Sequence, residues 1–398
     1  MTVNTKPSVR GCPICEERLV ELLRRQRFVL PDAHPLADGY DVVCCPQCGF
    51  VFADTAVTQA DYDAFYARLS KYENQQTSTG GGDTPWDAER LQQTAADLVR
   101  WFPDPASRIL DLGCANGGLL QALQRRGYSN LYGIDPSTAC VRHTRARGIA
   151  AGTGSLFALP DGLGVFDGVV LSHVLEHVQE LRPAVQRLAA ILQPGGRLCV
   201  EVPDAARYAE LLVAPFQDFN TEHINHFSAQ GLKNLLAPAG WQAQTLQSKT
   251  ILSAPQMPYP ALFAVAMRAA AAPWEPDREL RRHLEEYIQR SEAMLERLDQ
   301  TIRRAVPPVG GLIVWGTGQL AMKLLVETVL RDRRITAFVD SNPIHHGRRL
   351  RGVPILAPNQ IRDSSDPILI TTIIHQQEVL QAIRDQYHLT NPVVLLGD

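Results

Sequence analysis

The chain has 398 residues, 39 Lys+Arg against 42 Asp+Glu, a net charge of −3 and 45% hydrophobic residues. Such values belong to an ordinary globular chain of two to three domains of roughly 100–200 residues each. They exclude broad electrostatic binding of nucleic acid, which needs many uncompensated cations. The longest apolar candidate, 261–272, is broken by Arg268 and bounded by Pro260 and Pro273, far short of the ~20 residues of a membrane span. The first residues have no apolar leader, so a cytoplasmic location with reduced thiols is expected.

Five of the eight cysteines fall at 12, 15, 44, 45 and 48. Cys12-Pro-Ile-Cys15 and Cys45-Pro-Gln-Cys48 are C-x-x-C knuckles separated by 29 residues. Two residues between thiolates let a tight turn aim both sulfurs at one ion, and two such turns complete a tetrahedral zinc shell. A structural zinc on Cys12, Cys15, Cys45 and Cys48 is therefore expected in a ribbon spanning 1–57, with Cys44 spare. A closed shell leaves no position for catalysis, and the metal supplies folding energy to a small core. Redox chemistry and a metal-free ribbon are the alternatives. Cys114, Cys140 and Cys199 read as small core fillers.

Next come Tyr62 and Tyr66, which read as helix packing, and Tyr72, a lid candidate beside the Gly80-Gly-Gly82 stretch. Leu91, Ala95, Leu98 and Trp101 make one helical face. Strand-like runs at 108–112, 130–135, 166–172 and 197–202 alternate with helical stretches near 117–126, 137–147 and 180–192, which implies a parallel, doubly wound sheet. In Asp111-Leu-Gly113-Cys114-Ala115-Asn-Gly117 a strand runs into a Gly-rich turn where the backbone can approach a ligand closely. Asp135, about 20 residues on, can accept bonds from ribose hydroxyls. The pattern calls for an adenosine-based cofactor at the carboxyl ends of the strands.

Taken together, Asp-Leu-Gly-Cys-Ala-Asn-Gly (111–117), Gly-Ile-Asp-Pro-Ser (133–137), Phe-Asp-Gly-Val-Val (166–170) and Leu-x-Pro-Gly-Gly (192–196) resemble the class I S-adenosylmethionine-dependent methyltransferases. The resemblance implies that Asp111, Gly113, Cys114, Ala115 and Gly117 surround the methionine part of the cofactor, and that Asp135 and Pro136 hold the ribose. Ser155 and Leu156 stand where the family often has an acidic residue facing adenine, and Ser172 and His173 complete the cofactor set. Candidate acid/base residues follow: His177 just past a strand end, and the pair Glu222-His223 in Asn220-Thr-Glu-His-Ile-Asn-His226. Histidine titrates near neutrality and suits general-base work. His226-Phe-Ser can also simply precede a helix capped near Ser228.

From Arg278 to Arg304 apolar residues recur at helical spacing, predicting a long amphipathic helix between domains. Leu312-Ile-Val-Trp-Gly316-Thr-Gly318-Gln-Leu-Ala321, with Asp340 22 residues after Gly318, matches a dinucleotide fingerprint; a unit kept only for its shape is the alternative. The order of zinc knuckles, methyltransferase core and second Rossmann-like unit resembles the nucleotide-sugar C-methyltransferases. That resemblance implies a ketosugar nucleotide, an enolate formed by His223 with Glu222 beside it, and His177 and Tyr72 as further catalytic residues. Asn220, His226, Gly316, Gly318 and Asp340 are its substrate-side candidates. The family's tyrosine two positions before the glutamate is Asn220 here, which cannot act as an acid.

The expected architecture is thus α/β: a zinc ribbon at 1–57, a doubly wound methyltransferase domain at 58–250, a helical linker at 251–305 and a Rossmann-like substrate domain at 306–398. The expected activity is methyl transfer to a nucleotide-activated sugar or related small metabolite, by a monomer or homodimer without nucleic-acid or membrane partners. Two other readings stay open: O- or N-methylation of a glycan or natural-product intermediate, and a zinc-ribbon RNA-binding protein with a methyltransferase-like core.

Overall fold

The computed structural model describes residues 5–69, 80–255 and 257–397. The chain divides into two units, one of residues 1–23, 42–211 and 222–284, the other of 24–41, 212–221 and 285–398.

The knuckle region forms strands β1 (Thr5–Pro7), β2 (Leu19–Arg27), β3 (Gly39–Cys44) and β4 (Val51–Asp54), followed by helices α1 (Gln59–Leu69) and α2 (Pro85–Val99). The α/β alternation then runs β5 (Ile109–Leu112), α3 (Gly118–Gln124), β6 (Leu131–Asp135), α4 (Thr138–Ala146), β7 (Ala150–Thr153), β8 (Phe166–Ser172), α5 (Leu181–Arg187) and β9 (Leu192–Pro203). Next are β10 (Asn225–His226), α6 (Ala229–Leu236), β11 (Trp241–Ala254) and β12 (Met257–Arg268). β10 pairs antiparallel with β4, so the knuckle sheet is completed by a strand from far along the chain. The main sheet has the order β11-β12-β9-β8-β5-β6-β7. β9, β8, β5, β6 and β7 are parallel, and β12 and β11 return antiparallel at one edge.

The chain moves outward from β5 to β6 and β7, then crosses back to β8 and β9. Strand order therefore reverses between β5 and β8, and a crevice opens at their carboxyl ends, where open α/β sheets bind ligands. Alternation along the strands sends side chains into cores on the two faces. Leu110, Leu112, Val169, Leu171, Leu198 and Val200 belong to one core, Ile109, Val170, Cys199 and Val265 to the other. The first core also contains Cys12, Cys45, Cys48, Phe50, Phe52 and Phe227. The knuckles thus share a core with the sheet and do not form a separate 1–57 body.

The reading of 251–305 as a helical linker is corrected by the strands. Residues up to Ala254 and from Met257 to Arg268 are the hairpin β11–β12, and only Leu280–Ala305 is helix, α7. The stretch 261–266 is apolar because both its faces are buried in the sheet, and an all-apolar strand cannot be told from a helix by periodicity. No helix among the described residues is long and apolar enough to cross a membrane.

In the second unit, β13 (Leu312–Trp315), α8 (Gln319–Glu327), β14 (Ile335–Val339), β15 (Arg349–Leu350), β16 (Val353–Leu356), β17 (Ile368–Ile370), α9 (Gln376–Gln381) and β18 (Val393–Val394) follow in order. The sheet order is β15-β16-β14-β13-β17-β18, parallel apart from β15. Segments 24–41 and 212–221 are counted with this unit. The reason is a set of specific anchors: Lys323 on Gln26 and Glu327, and Arg24 over the Phe216 ring. The Tyr287 hydroxyl also accepts from the Asp218 amide at 2.9 Å.

A buried ion network ties α2 to the main sheet. Lys249 on β11 reaches Asp97 of α2 at 2.9 Å and Glu201 of β9. Glu201 also accepts from Thr94 at 3.1 Å and lies 3.4 Å from His173 Nε2, whose Nδ1 is 3.1 Å from Glu176. Burial alone would discharge His173, but Glu176 and Glu201 push its pKa up to about 9. Burial likewise opposes ionisation of Glu201, and His173 and Lys249 hold its carboxyl far below the usual range. A raised histidine stabilises fully below its unfolded value near 6.5 and loses that contribution as pH rises through about 9; a depressed carboxylate loses its contribution only as pH falls below its ordinary range. The urea midpoint should therefore be highest between about pH 5 and 6.5 and fall progressively between about pH 6.5 and 9. In His173→Gln it should be lower throughout and lack that alkaline step; an equal step in both proteins would place its source elsewhere.

Candidate active site and candidate metal centre

The cofactor turn is built by backbone strain at the end of β5. Gly113 and Gly117 have φ of 83° and 76°, and Ala115 sits at 45°. A Cβ on Gly113 would lie 2.7 Å from Val174 Cγ2, and one on Gly117 2.8 Å from the Thr144 hydroxyl, so neither position tolerates a larger residue without movement. The Ala115 twist turns its amide onto Asp135 Oδ2 at 2.9 Å, and Ser137 N donates to Asp135 Oδ1 at 2.9 Å. Each carboxylate oxygen keeps acceptor capacity for a hydroxyl. Asp111 is 3% exposed, and burial, with the charge of Asp135, pushes its pKa up to about 7 against the pull of Arg90. A buried carboxyl so placed suits a cationic partner such as an amino acid's ammonium group.

The Gly80–Gly82 stretch lies on this turn. Gly118 N donates to Gly80 O at 2.9 Å. Buried Asp87 of α2 accepts from Gly80 N and Gly82 N at 2.9 and 2.7 Å, and takes Arg90 on its other oxygen at 2.8 Å. A Cβ on Gly118 would meet Gly81 C at 2.6 Å. The sequence reading placed these glycines only beside a lid candidate and gave Asp87 no role; its position in the first turn of a helix just after three glycines was the available signal. Tyr72 lies outside the described residues.

Ser155 and Leu156 follow β7 and Gly154, whose amide bonds Asp135 O at 3.1 Å. Ser155 turns back on itself, its hydroxyl accepting from Phe157 N at 3.2 Å, and Leu156 is buried. Cys114 is buried, its thiol pushed well above the ordinary range by burial. Pro136 follows Asp135, and the next residue, Ser137, caps α4 by accepting from Cys140 N. Ser172 ends β8 and reaches Glu201 at 3.4 Å. His173 has φ of 56° and is committed to the ion network.

The loop after His173 brings the acid/base candidates together. Nδ1 of His177 lies 3.0 Å from the Glu222 carbonyl oxygen, an acceptor only, so Nδ1 carries the proton. The Tyr66 hydroxyl is 2.9 Å from the same Nδ1 and donates to Glu222 Oε2 at 3.3 Å. The His177 and His223 rings meet edge to face, centroids 4.9 Å apart. Segment 222–226 is clamped to the turn at 175–178: Ile224 N donates to Glu176 O at 2.8 Å, and Asn225 donates to Leu175 O and Val178 O at 2.8 and 2.7 Å. Val174, against Gly113, joins this cluster to the cofactor turn.

Tyr66 is the residue that sequence reasoning assigned to helix packing. Its neighbour on the helix, Tyr62, is 2% exposed and does pack, whereas Tyr66 places a hydroxyl on the cluster. No signal in the local sequence separates the two. Glu176 and Glu201 were also missed, although a charged residue inside the apolar run Leu198-Cys-Val-Glu201-Val was legible as a site with a partner.

The substrate-side candidates are dispersed. His226 is fully buried in β10 against Tyr208, and burial, with Arg10's charge, lowers its pKa to about 3. It is a neutral core histidine, which corrects its assignment as a substrate contact. Ser228 caps α6 through Gly231 N at 2.9 Å. In the second unit, Asn220 donates its side chain to Gln217 O at 3.2 Å, and its carbonyl accepts from Tyr40 at 2.8 Å. Gly316 has φ of 102°, and Gly318 precedes α8 in extended conformation. Asp340 takes Thr317 N at 3.0 Å and Asn342 N at 2.8 Å, so its carboxylate closes the strand-end turns.

The four knuckle sulfurs lie within 4.8 Å of one another. Cys12–Cys48 and Cys15–Cys45 are each 3.4 Å apart, and none is in a disulfide. A tetrahedron of 2.3 Å Zn–S bonds has edges of about 3.8 Å, so these thiols fit zinc. The neighbouring thiols hold Cys45 and Cys15 below the usual thiol range and push Cys12 and Cys48 above it. Four packed sulfurs cannot all ionise without a cation between them.

Residues 86–246 match a family model described as a methyltransferase domain. Among curated proteins, the chain is 28% identical over 215 residues to O-methyltransferase cnsE of Penicillium expansum, covering 49% of this chain and 71% of that one. It is 33% identical over 110 residues to the ubiquinone biosynthesis O-methyltransferase of Xylella fastidiosa, covering 26% of this chain and 44% of the relative. Among solved structures, an S-adenosylmethionine-dependent methyltransferase of Methanosarcina mazei aligns over 44% of this chain and 97% of its own, at 17% identity and a TM-score of 0.38. The matched residues include the whole cofactor turn, Asp135 and the carboxyl end of β8, so residues 86–246 are an S-adenosylmethionine-dependent methyltransferase domain.

Proposed function

We propose that the chain methylates carbon next to the ketone of a nucleotide-activated sugar or a related small metabolite, with His223 as the base. The observation that carries this reading is the cluster Tyr66–His177–Glu222–His223, a set of proton donors and acceptors beside the cofactor turn. Bound S-adenosylmethionine supplies an activated methyl group, with Asp111 facing its amino end and Asp135 its ribose. Carbon α to a ketone is nucleophilic only after losing its proton, so the site needs a base and a donor for the enolate oxygen. His223 takes the proton. The electron pair of the broken C–H bond becomes the enolate, and its carbon attacks the methyl group as the carbon–sulfur bond breaks. Tyr66 stands in for the acid that Asn220 cannot provide, and Glu222 orients that hydroxyl. His177, its Nδ1 proton held by the Glu222 carbonyl, keeps one orientation against His223.

A second reading, O-methylation, is favoured by the relatives named above, both of which are named O-methyltransferases. It uses the same base on a hydroxyl and forms no enolate. Incubation with a 4-keto sugar nucleotide in heavy water, without methyl donor, separates the two. Hydrogen exchange next to the ketone is expected, and Tyr66→Phe should slow it by about 10²–10⁴-fold. Methyl transfer to that sugar without exchange would refute the carbon mechanism in favour of oxygen. His223→Asn should abolish transfer and leave cofactor affinity within about twofold, as measured by calorimetry; weakened cofactor binding would mean that His223 serves the cofactor and is no base.

We further propose that Cys12, Cys15, Cys45 and Cys48 hold one structural zinc. Because these cysteines lie in the main core, metal removal should reach beyond the knuckles. Elemental analysis should find one zinc per chain, lost in Cys45→Ser, and a strong chelator should lower the melting temperature of the whole first unit. A metal-free protein of unchanged melting temperature would contradict this.

A further inference from the structure

Glu176 does more than neutralise His173. Its side chain is 1% exposed, its Oε1 is engaged by His173 at 3.1 Å, and its Oε2 is buried with no hydrogen-bond donor among the described residues. A carboxylate oxygen left dry in this way is costly and calls for a partner. The next residue, His177, donates from Nδ1 to the Glu222 carbonyl, which leaves Nε2 directed toward Glu176. His177 Nε2 lies 3.9 Å from Glu176 Oε1. His223 brings a third ligand: one donor atom each from Glu176, His177 and His223 lie within 4.8 Å of one another.

We propose that Glu176, His177 and His223 form a second metal site, for a divalent transition ion, distinct from the cysteine knuckles. Two imidazoles and one carboxylate favour zinc, cobalt or nickel over magnesium or calcium, which prefer oxygen. Bonds of about 2.1 Å at tetrahedral angles put donor atoms about 3.4 Å apart, so closing the triangle takes side-chain movements of about 1 Å. Three protein ligands leave a coordination position open, and the ion adds positive charge beside Glu222. A metal on His223 also removes the lone pair that the carbon-methylation reading assigns to the base, so occupancy switches transfer off; this consequence, unlike the site itself, rests on that reading.

The test uses the full chain carrying one zinc per chain, with excess zinc removed, titrated with cobalt(II) and followed by visible absorption and by metal counting after gel filtration. One equivalent of cobalt should bind in addition to the knuckle zinc, with d–d bands of a nitrogen- and oxygen-ligated ion and without thiolate charge-transfer bands. Glu176→Gln and His223→Asn should each weaken that binding at least tenfold, with folding checked by cofactor affinity. No extra cobalt, or binding unchanged in both variants, overturns the site. Thiolate bands would place the metal at the cysteines and overturn it equally. Cobalt bound as expected while methyl transfer continues at full rate leaves the site standing and refutes His223 as the base.

Discussion

The turn at the carboxyl end of β8 is the constraint on which the rest depends. His173 must adopt a left-handed backbone conformation there, and its half-buried imidazole lies between two carboxylates. A non-glycine residue in that conformation costs free energy and persists only where its surroundings over-determine it. Here the surroundings are the Glu201 carbonyl, which takes the His173 amide at 2.7 Å, and the paired charges of Glu176 and Glu201. Fixing this one residue directs Val174 onto Gly113, and so onto the cofactor turn, and sends His177 the other way, toward Glu222. The same Glu201 carries the load of Lys249 and, through it, of α2. One buried network thereby couples the shape of the cofactor turn to the placing of the acid/base cluster.

The other supports act on the edges of that arrangement. Asp87 sits on the same helix as Asp97, so α2 both anchors the ion network and holds Gly80–Gly82 on the cofactor turn. On the other side, β10 carries Asn225 and His226 into the knuckle sheet, and Asn225 clamps the loop at 175–178. Arg10, next to the first knuckle, donates to the carbonyls of Val178 and Gln179. The knuckles therefore brace the segment bearing Glu222 and His223, and the proposed structural metal would steady that segment through them.

The cofactor turn was legible in the sequence because its demands are local: glycine where φ is positive, an acid at the next strand end. The knuckles were legible for the same reason. Tyr66 was not, since its role depends on where α1 lies against residues more than a hundred positions away, and Tyr62 has the same spacing and character. The β11–β12 hairpin was hidden because burial on both faces erases the alternation that marks a strand. His226 misled because a histidine near an acid/base pair reads alike whether it faces ligand or core, and only pairing with β4 decides it. Charged residues inside apolar runs, Glu201 above all, were the unused signal.

The two ends of the crevice differ in electrostatic character, and that difference bears on the chemistry. At the cofactor end Asp111 and Asp135 are buried carboxyl groups beside the turn, and the charge of Arg90 acts on Asp111. Such a field favours an ammonium group and hydroxyl donors, but placed against the reacting carbon it would oppose any build-up of negative charge. At the other end the groups are a hydroxyl and two imidazoles: Tyr66, His177 with a proton on Nδ1, and His223. Glu222 directs its carboxylate at Tyr66, which leaves its charge neutralised in part by a hydrogen bond. An enolate or alkoxide formed at this end meets polarised donors while the carboxylates stay with the cofactor. Separating the fields in this way lets one crevice bind a cationic methyl donor and still permit an anionic nucleophile to form beside it.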